Sequence, residues 1–212
     1  MNAFFYRFLI LELCKATVSD YIKGAYEGPM PAEPSALSQM ASGLHYIHGK
    51  RFVHRDIKPA NVLVSVAAWR ITLKISDFGF CKPISPNQSF SVTEGQPKGT
   101  RIYFAPEYLQ LSTEEVENVR ANVSVDVFSL GCVFFNYVTR GDHLFAKPGT
   151  QPLTNEHVTE NIRNGNKFLE DPQSKLKRNH FAFEMIDGMT QADPHHRWKL
   201  DEVINILETN LE

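Results

Sequence analysis

In the stretch "HRDIKPANVLVS", residues 54–65, an aspartate, a lysine and an asparagine crowd into six positions: Asp56, Lys58 and Asn61. A carboxylate to take a proton from a hydroxyl, a cation to neutralise phosphate, and an amide oxygen to help hold Mg²⁺ are what phosphoryl transfer from ATP asks of one loop. Any one of these residues alone is better read as a polar group capping nearby backbone. Five fixed positions of the form H-R-D-x-K-x-x-N, however, recur by chance in only about one in 10⁴ chains of this length. Asp77, in "SDFG", follows Asp56 by 21 residues. A carboxylate two residues before Gly79, where the backbone can turn sharply, suits a metal chelator on a movable segment. A D-F-G tripeptide by itself carries little weight. One hairpin downstream of the first motif it carries more, because the hairpin would return Asp77 to Asn61, where the two oxygens could share Mg²⁺ on the phosphates of ATP.

Several elements must place these groups. "ATVSDYIKG" predicts a short helix with Thr17 or Ser19 near its start. "SALSQMASGLHYIHG" has Leu37, Met40, Leu44 and Ile47 at helical spacing and Gly49 as a stop, so this helix delivers its end to the motif. "NVLVS" and "ITLKIS" predict two strands of a hairpin with "VAAWR" between them. Upstream, "FLILELC" predicts a core strand, too short to span a bilayer. The stretch "CKPISPNQSFSVTEGQPKGTRIYFAPE" reads as loop. "SVDVFSLGCVFFNYVTRG" is apolar nearly all round and belongs in the middle of a core, with Ser124 as N-cap and Gly141 beyond its last turn. Asp126 on that helix needs partners, since an unpaired buried charge costs several kcal/mol, and the backbone amides of the motif loop are the candidates. Three more helices are expected near 155–164, 180–190 and 199–210. The simplest architecture is one mainly α domain with small β elements and no linker between separate cores.

Composition narrows the class. The 212 residues are 42% hydrophobic, enough for a well-buried core, and 22 basic against 24 acidic residues argue against a nucleic-acid coat. Cys14, Cys81 and Cys132 are odd in number and widely spaced, which indicates neither a disulfide framework nor a zinc site and fits a reducing compartment. The basic run "KLKRNH", Lys175 to His180, reads as a solvated surface, and no direct nucleic-acid contact is expected. His195 and His196 have no carboxylate or cysteine at ligand spacing.

"HRDIKPAN", "DFG", "GTRIYFAPE", "DVFSLG" and Arg197 together resemble the C-terminal lobe of the eukaryotic protein kinase family, over essentially the whole chain. Lys58, with Gly99 and Thr100, resembles the serine/threonine branch. The resemblance implies ATP and Mg²⁺ as cofactors, Asp56 as catalytic base and Lys58 on the transferred phosphate. It also implies Asn61 and Asp77 on the metal, Glu107 paired with Arg197, and Asp126 as anchor of the catalytic loop. "FLILELC" resembles the hinge, with the backbone of Glu12 and Cys14 on adenine, Leu11 as gatekeeper, and Val62 and Leu63 beneath the base. "ILELCKATVSDYI", "HRDIKPANVLVS", "ISDFGFCK" and "SFS" further resemble the inositol-requiring kinase/endoribonuclease family, the unfolded-protein sensors of the endoplasmic reticulum membrane. That implies a cytoplasmic location at the cytosolic face of that membrane, and a protein substrate or a second copy phosphorylated in trans. Arg55 is then expected to pair with phosphate on Ser89, Ser91 or Thr93.

The family pattern is incomplete in these residues. No G-x-G-x-x-G and no V-A-I-K-like lysine occur, so the 212 residues are expected to comprise a hinge strand and C-terminal lobe lacking most of the N-terminal lobe. Alone they are expected to transfer phosphate negligibly. Two classes stay open: a serine/threonine kinase seen in part, or a non-catalytic pseudokinase or docking module.

Overall fold

The computed structural model describes residues 10–68, 70–92, 97–111, 119–149 and 154–211. In chain order the elements are β1 (Ala16–Thr17), α1 (Val18–Ile22), α2 (Glu33–Gly49), β2 (Phe52–Val53), β3 (Val62–Ala67), β4 (Arg70–Ile75), β5 (Lys82–Pro83), β6 (Ser89–Val92), α3 (Pro106–Gln110), β7 (Val119–Asn122), α4 (Ser124–Val138), α5 (Asn155–Arg163), α6 (Ala182–Met189) and α7 (Leu200–Thr209). The mainly helical, small-β architecture expected from the sequence is the one observed.

Two helices organise it. On α2 the predicted face, Leu37, Met40, Leu44 and Ile47, is buried with Ala36 and Ala41, and the helix packs against α7, α4 and β4. On α4 every residue from Val125 to Tyr137 is buried, so its apolar circumference is used on all sides and α6 covers part of it. The hairpin β3–β4 is antiparallel in unbroken register from Val62↔Ile75 to Ala67↔Arg70, and β1 pairs with the other edge of β3 through Ala16↔Val64 and Thr17↔Leu63. Thr17 ends β1 and starts α1 through a reciprocal cap: its Oγ1 accepts the Asp20 N–H at 3.1 Å, and the Asp20 carboxylate accepts the Thr17 N–H at 2.8 Å. That backbone donor holds the Asp20 carboxyl below its ordinary pKa. Among the described residues no helix is long and apolar enough to cross a membrane.

Four local expectations are corrected. The described part of "FLILELC", from Ile10, is not a strand and is not core: Ile10, Leu11 and Leu13 are 99%, 82% and 91% exposed. Apolarity signals a demand for burial but does not supply the surface that meets it, and among the described residues pairing starts only at Ala16. Gly49 stays helical, and the left-handed turn falls on Arg51 (φ 63°). Ser124 is the first helical residue of α4 rather than its cap, which is Val123, and the Ser124 N–H donates to Asn122 Oδ1 at 3.1 Å. The stretch read as loop after residue 80 contains two strands: β5 pairs with β2, and β6 pairs with β7 over Ser89↔Asn122 to Val92↔Val119. Phe90 is buried on β6, between serines that point the other way.

Candidate phosphoryl-transfer site

The loop after β2 is held from beneath. Asp126, 1% exposed on α4, accepts the His54 N–H at 2.7 Å on Oδ2 and the Arg55 N–H at 2.8 Å on Oδ1, and His48 Nε2 lies 2.9 Å from Oδ2. These are the backbone partners its burial demanded. The grip also explains how Arg55 persists at φ 71°, a left-handed conformation that costs a non-glycine residue roughly 1–2 kcal/mol. Gly99 (φ 124°) crosses the same loop so closely that a Cβ there would stand 2.2 Å from the Arg55 carbonyl oxygen. Only glycine fits, and the approach carries the next residue, Thr100, to Asp56.

The Asp56 side chain is 3% exposed and heavily bonded. Oδ1 accepts the Thr100 hydroxyl at 2.7 Å, while Oδ2 accepts Lys58 Nζ at 2.7 Å and Asn61 Nδ2 at 3.0 Å. Lys58 Nζ also donates to Thr100 Oγ1 at 2.9 Å, and Asn61 Nδ2 to the Asp56 carbonyl at 2.9 Å. An ionised carboxylate offers about four lone-pair sites. Three are used here, by a hydroxyl, an ammonium and an amide, which leaves one acceptor position for an incoming hydroxyl. Lys58 spends two of its three donors in this network, and the third remains for an anion. Asn61 bonds through Nδ2, so Oδ1 is the atom of this side chain able to face a cation.

Asp77 arrives where the hairpin puts it. Ser76 closes β4 onto the loop, its N–H and Oγ both donating to the Asn61 carbonyl at 2.9 and 3.1 Å, and His54 Nε2 lies 3.0 Å from the Ser76 carbonyl. His54 Nδ1 accepts the Asp56 N–H at 3.3 Å, so Nε2 is the ring donor to Ser76. The next residue, Asp77, sits at φ 61°, with its carboxylate exposed and 3.4 Å from the Gly79 N–H. Phe78 packs edge-on to His54 at 5.5 Å between ring centres. Asp56, bonded to Asn61, and Asp77, next to Ser76, therefore both adjoin the Asn61–Ser76 junction. Among the described residues no cluster of three or more His, Cys, Asp or Glu could cage a metal. Mg²⁺ held by one or two protein oxygens and completed by nucleotide phosphates needs no such cage, and Asn61 Oδ1 with the Asp77 carboxylate fits that hard-oxygen arrangement.

The other predicted residues are distributed around this centre. Leu63, half-buried, lies opposite Thr17 and Lys74 in the sheet, and Val62 beside it is buried. The segment bearing Leu11, Glu12 and Cys14 runs alongside: the Lys15 N–H donates to the Val64 carbonyl at 2.8 Å, and the Glu12 carboxylate takes bonds from Lys74 and Ser65. Those two donors, Lys74 first, lower the Glu12 pKa. Glu107 and Arg197 form a two-pronged pair at 2.7 and 3.0 Å, and the same guanidinium, buried, donates to the carbonyls of Gln191, Ala192 and Ser124. Arg55 Nε donates to the Phe80 carbonyl at 2.5 Å. Ser89 and Ser91 lie on β6, and Thr93 falls outside the described residues.

The chain matches the protein kinase domain over residues 2–206. It belongs to the protein kinase family. It is 35% identical over 209 residues to the serine/threonine-protein kinase/endoribonuclease ire-1 of Caenorhabditis elegans, covering 94% of this chain and 20% of that protein. To the serine/threonine-protein kinase/endoribonuclease IRE2 of Homo sapiens it is 38% identical over 205 residues, covering 94% and 21%. To ireA, the serine/threonine-protein kinase/endoribonuclease of Aspergillus fumigatus, it is 35% identical over 226 residues, covering 90% and 19%. The chain thus spans about one fifth of the length of these curated relatives. Protein kinase domains in general use ATP and Mg²⁺.

Sequence reasoning missed several members of this candidate site. Thr100 entered only as a marker of the serine/threonine branch, yet it bridges Asp56 and Lys58. His48, His54 and Ser76 were not singled out, though they fix the loop from three directions. A histidine at the end of α2 and another opening the motif were the available signals for two of them, and neither spacing announces a shared partner 72 to 78 residues away.

Proposed function

We propose that residues 1–212 form the hinge segment and C-terminal lobe of a serine/threonine protein kinase domain, which transfers the γ-phosphoryl group of ATP to serine or threonine hydroxyls. The observation that carries this is the Asp56 carboxylate, held by three donors and left with one acceptor site, beside Lys58 and one step from Asp77. Asp56 takes the hydroxyl proton, Lys58 faces the transferred phosphate, and Asn61 and Asp77 hold Mg²⁺, which when bound neutralises charge on the phosphates. Leu11, Glu12, Cys14 and Leu63 border the adenine. Glu107 with Arg197 and Asp126 with the loop amides keep the platform rigid. The likeness to the kinase/endoribonucleases supports a role in unfolded-protein signalling at the cytosolic face of the endoplasmic reticulum membrane, with a second copy as substrate and Ser89, Ser91 and Thr93 as acceptors. A docking module would have no chemical use for so complete a carboxylate network.

The 212 residues contain no glycine-rich phosphate loop, and losing one preorganised donor of that kind costs about 3 to 4 kcal/mol of barrier. The isolated polypeptide should therefore transfer label from ATP at close to background. Joined to a glycine-rich loop and strand lysine of the protein kinase family, it should phosphorylate itself, and Asp56→Asn should abolish that. A chimaera whose transfer survives Asp56→Asn would overturn the assignment.

A further inference from the structure

On β6, side chains alternate. Phe90 and Val92 are buried, and the Arg55 guanidinium lies 6.0 Å from the Phe90 ring while its Nε is bound to the Phe80 carbonyl. Ser89 and Ser91 therefore point to the face away from Arg55. On that face each serine already meets a different cation. Arg120, exposed on the partner strand β7, donates from Nε to Ser89 Oγ at 2.8 Å and from Nη2 to Ser85 Oγ at 2.9 Å and the Ser89 carbonyl at 3.1 Å. Lys82 Nζ donates to the Ser91 carbonyl at 2.7 Å and Ser91 Oγ at 3.2 Å. Ser89 Oγ also bonds Asn87 Oδ1 at 2.8 Å and lies 3.0 Å from Ser85 Oγ.

We propose that a phosphate on Ser89 is read by Arg120 of β7, so that modification seals the β6–β7 ribbon rather than engaging the arginine of the catalytic loop. The proposal rests on the kinase reading only for the source of the phosphate. In that transfer Ser89 Oγ bonds to the γ-phosphorus of ATP and the bond from that phosphorus to the ADP oxygen breaks. ADP leaves with the electron pair, and the hydroxyl proton passes to the Asp56 carboxylate of the copy acting as enzyme. The product carries roughly −1.5 to −2 charge and three acceptor oxygens where one hydroxyl stood. A guanidinium fork already aimed at Ser89 Oγ is suited to take two of those oxygens side by side. Asn87 turns its amide to present Nδ2, and Ser85 keeps its hydroxyl as a donor. The mechanical consequence is directional. β7 runs through Asn122 into the first turn of α4, where Asp126 grips the catalytic loop, so a charge added to β6 stiffens the support of that loop from behind.

The test installs phosphoserine at position 89 during translation of the 212-residue chain, so that no kinase activity is needed and a failure of the kinase reading cannot disguise itself as a failure here. Amide exchange of residues 89–92 and 119–122 should slow on the order of tenfold with phosphoserine 89 in the parent, and this protection should vanish in Arg120→Gln. Phosphoserine at 91 should instead respond to Lys82→Gln and ignore Arg120→Gln. The ³¹P titration of phosphoserine 89 should move to lower pH in the parent than in Arg120→Gln. Equal protection in parent and Arg120→Gln, or protection lost in Arg55→Gln instead, would overturn the proposal, as would identical ³¹P titrations.

Discussion

Replacing Asp126 by asparagine tests whether the loop that carries Asp56 depends on one carboxylate. The two oxygens of Asp126 serve three donors: Oδ2 takes the His54 N–H and His48 Nε2, and Oδ1 takes the Arg55 N–H. An asparagine keeps one oxygen. Placed at the Oδ2 position, it retains His54 and His48 as neutral bonds, but its NH₂ then confronts the Arg55 N–H, donor against donor. Losing one charge-assisted bond costs about 1.5–3 kcal/mol, and leaving its donor buried and unmet costs about 1–3 kcal/mol more. The total, about 2.5–6 kcal/mol, brackets the roughly 3–5 kcal/mol that breaking a buried ionic pair usually costs. Domains of this kind have only about 5–15 kcal/mol to lose. In urea unfolding with a slope of about 2–3 kcal/mol per M, the midpoint should fall by about 1–2 M with little change in slope. Amide exchange at His54 and Arg55 should accelerate more than exchange on α6. A midpoint shift below about 0.3 M on that slope would mean the loop is held by something other than Asp126 and would refute the reasoning.

Three further outcomes follow from other contacts. Arg197→Met should cost about 3–5 kcal/mol because it strands Glu107, whereas the double change Arg197→Met with Glu107→Leu should cost less than the single one, measured as a mutant cycle. His143 is buried against the Tyr103 ring, with Nδ1 accepting the Phe145 N–H, and burial pushes its pKa down to about 4. Between that value and the ordinary 6.5 the unfolded chain binds the proton and the folded one does not, so stability rises with pH across this window and falls as acid is added. The window is worth about 3 kcal/mol, and the stability–pH curve of His143→Gln should be flatter there than the parent's; identical curves would discount the histidine. Thr17→Ala removes the hydroxyl that caps α1 and should lower stability by about 1 kcal/mol in thermal unfolding.

What could be read in advance depended on how local the cause was. Leu37, Met40, Leu44 and Ile47 announce α2 because the helical period is written within one element, and the all-round apolarity of α4 announces its central place in the same way. The need of Asp126 for backbone donors followed from the cost of burying a charge, and the donors are the ones anticipated. Thr100 was illegible as a partner of Asp56 because nothing in either neighbourhood encodes a meeting across 44 residues; the close pass of Gly99 over Arg55 brings it about. β6 was hidden for a related reason. Four alternating residues among prolines and polar side chains look like loop until β7, thirty positions on, supplies the other edge. "FLILELC" misled in the opposite sense, since its pattern demands a cover that the described residues do not provide.

The hairpin ladder has a consequence for how this molecule tolerates change in length. From Val62↔Ile75 to Ala67↔Arg70 every rung is filled, and Ser76 is fastened to Asn61 just below the first. Separation between the two acidic stretches is thus counted in rungs, not residues. Lengthening both strands equally only moves the tip outward and leaves the base where it was. A single residue inserted into one strand throws every side chain beyond it onto the opposite face. Insertions, grafted tags or reporter loops belong at the Ala67–Arg70 connection, and the base of the ladder should accept none.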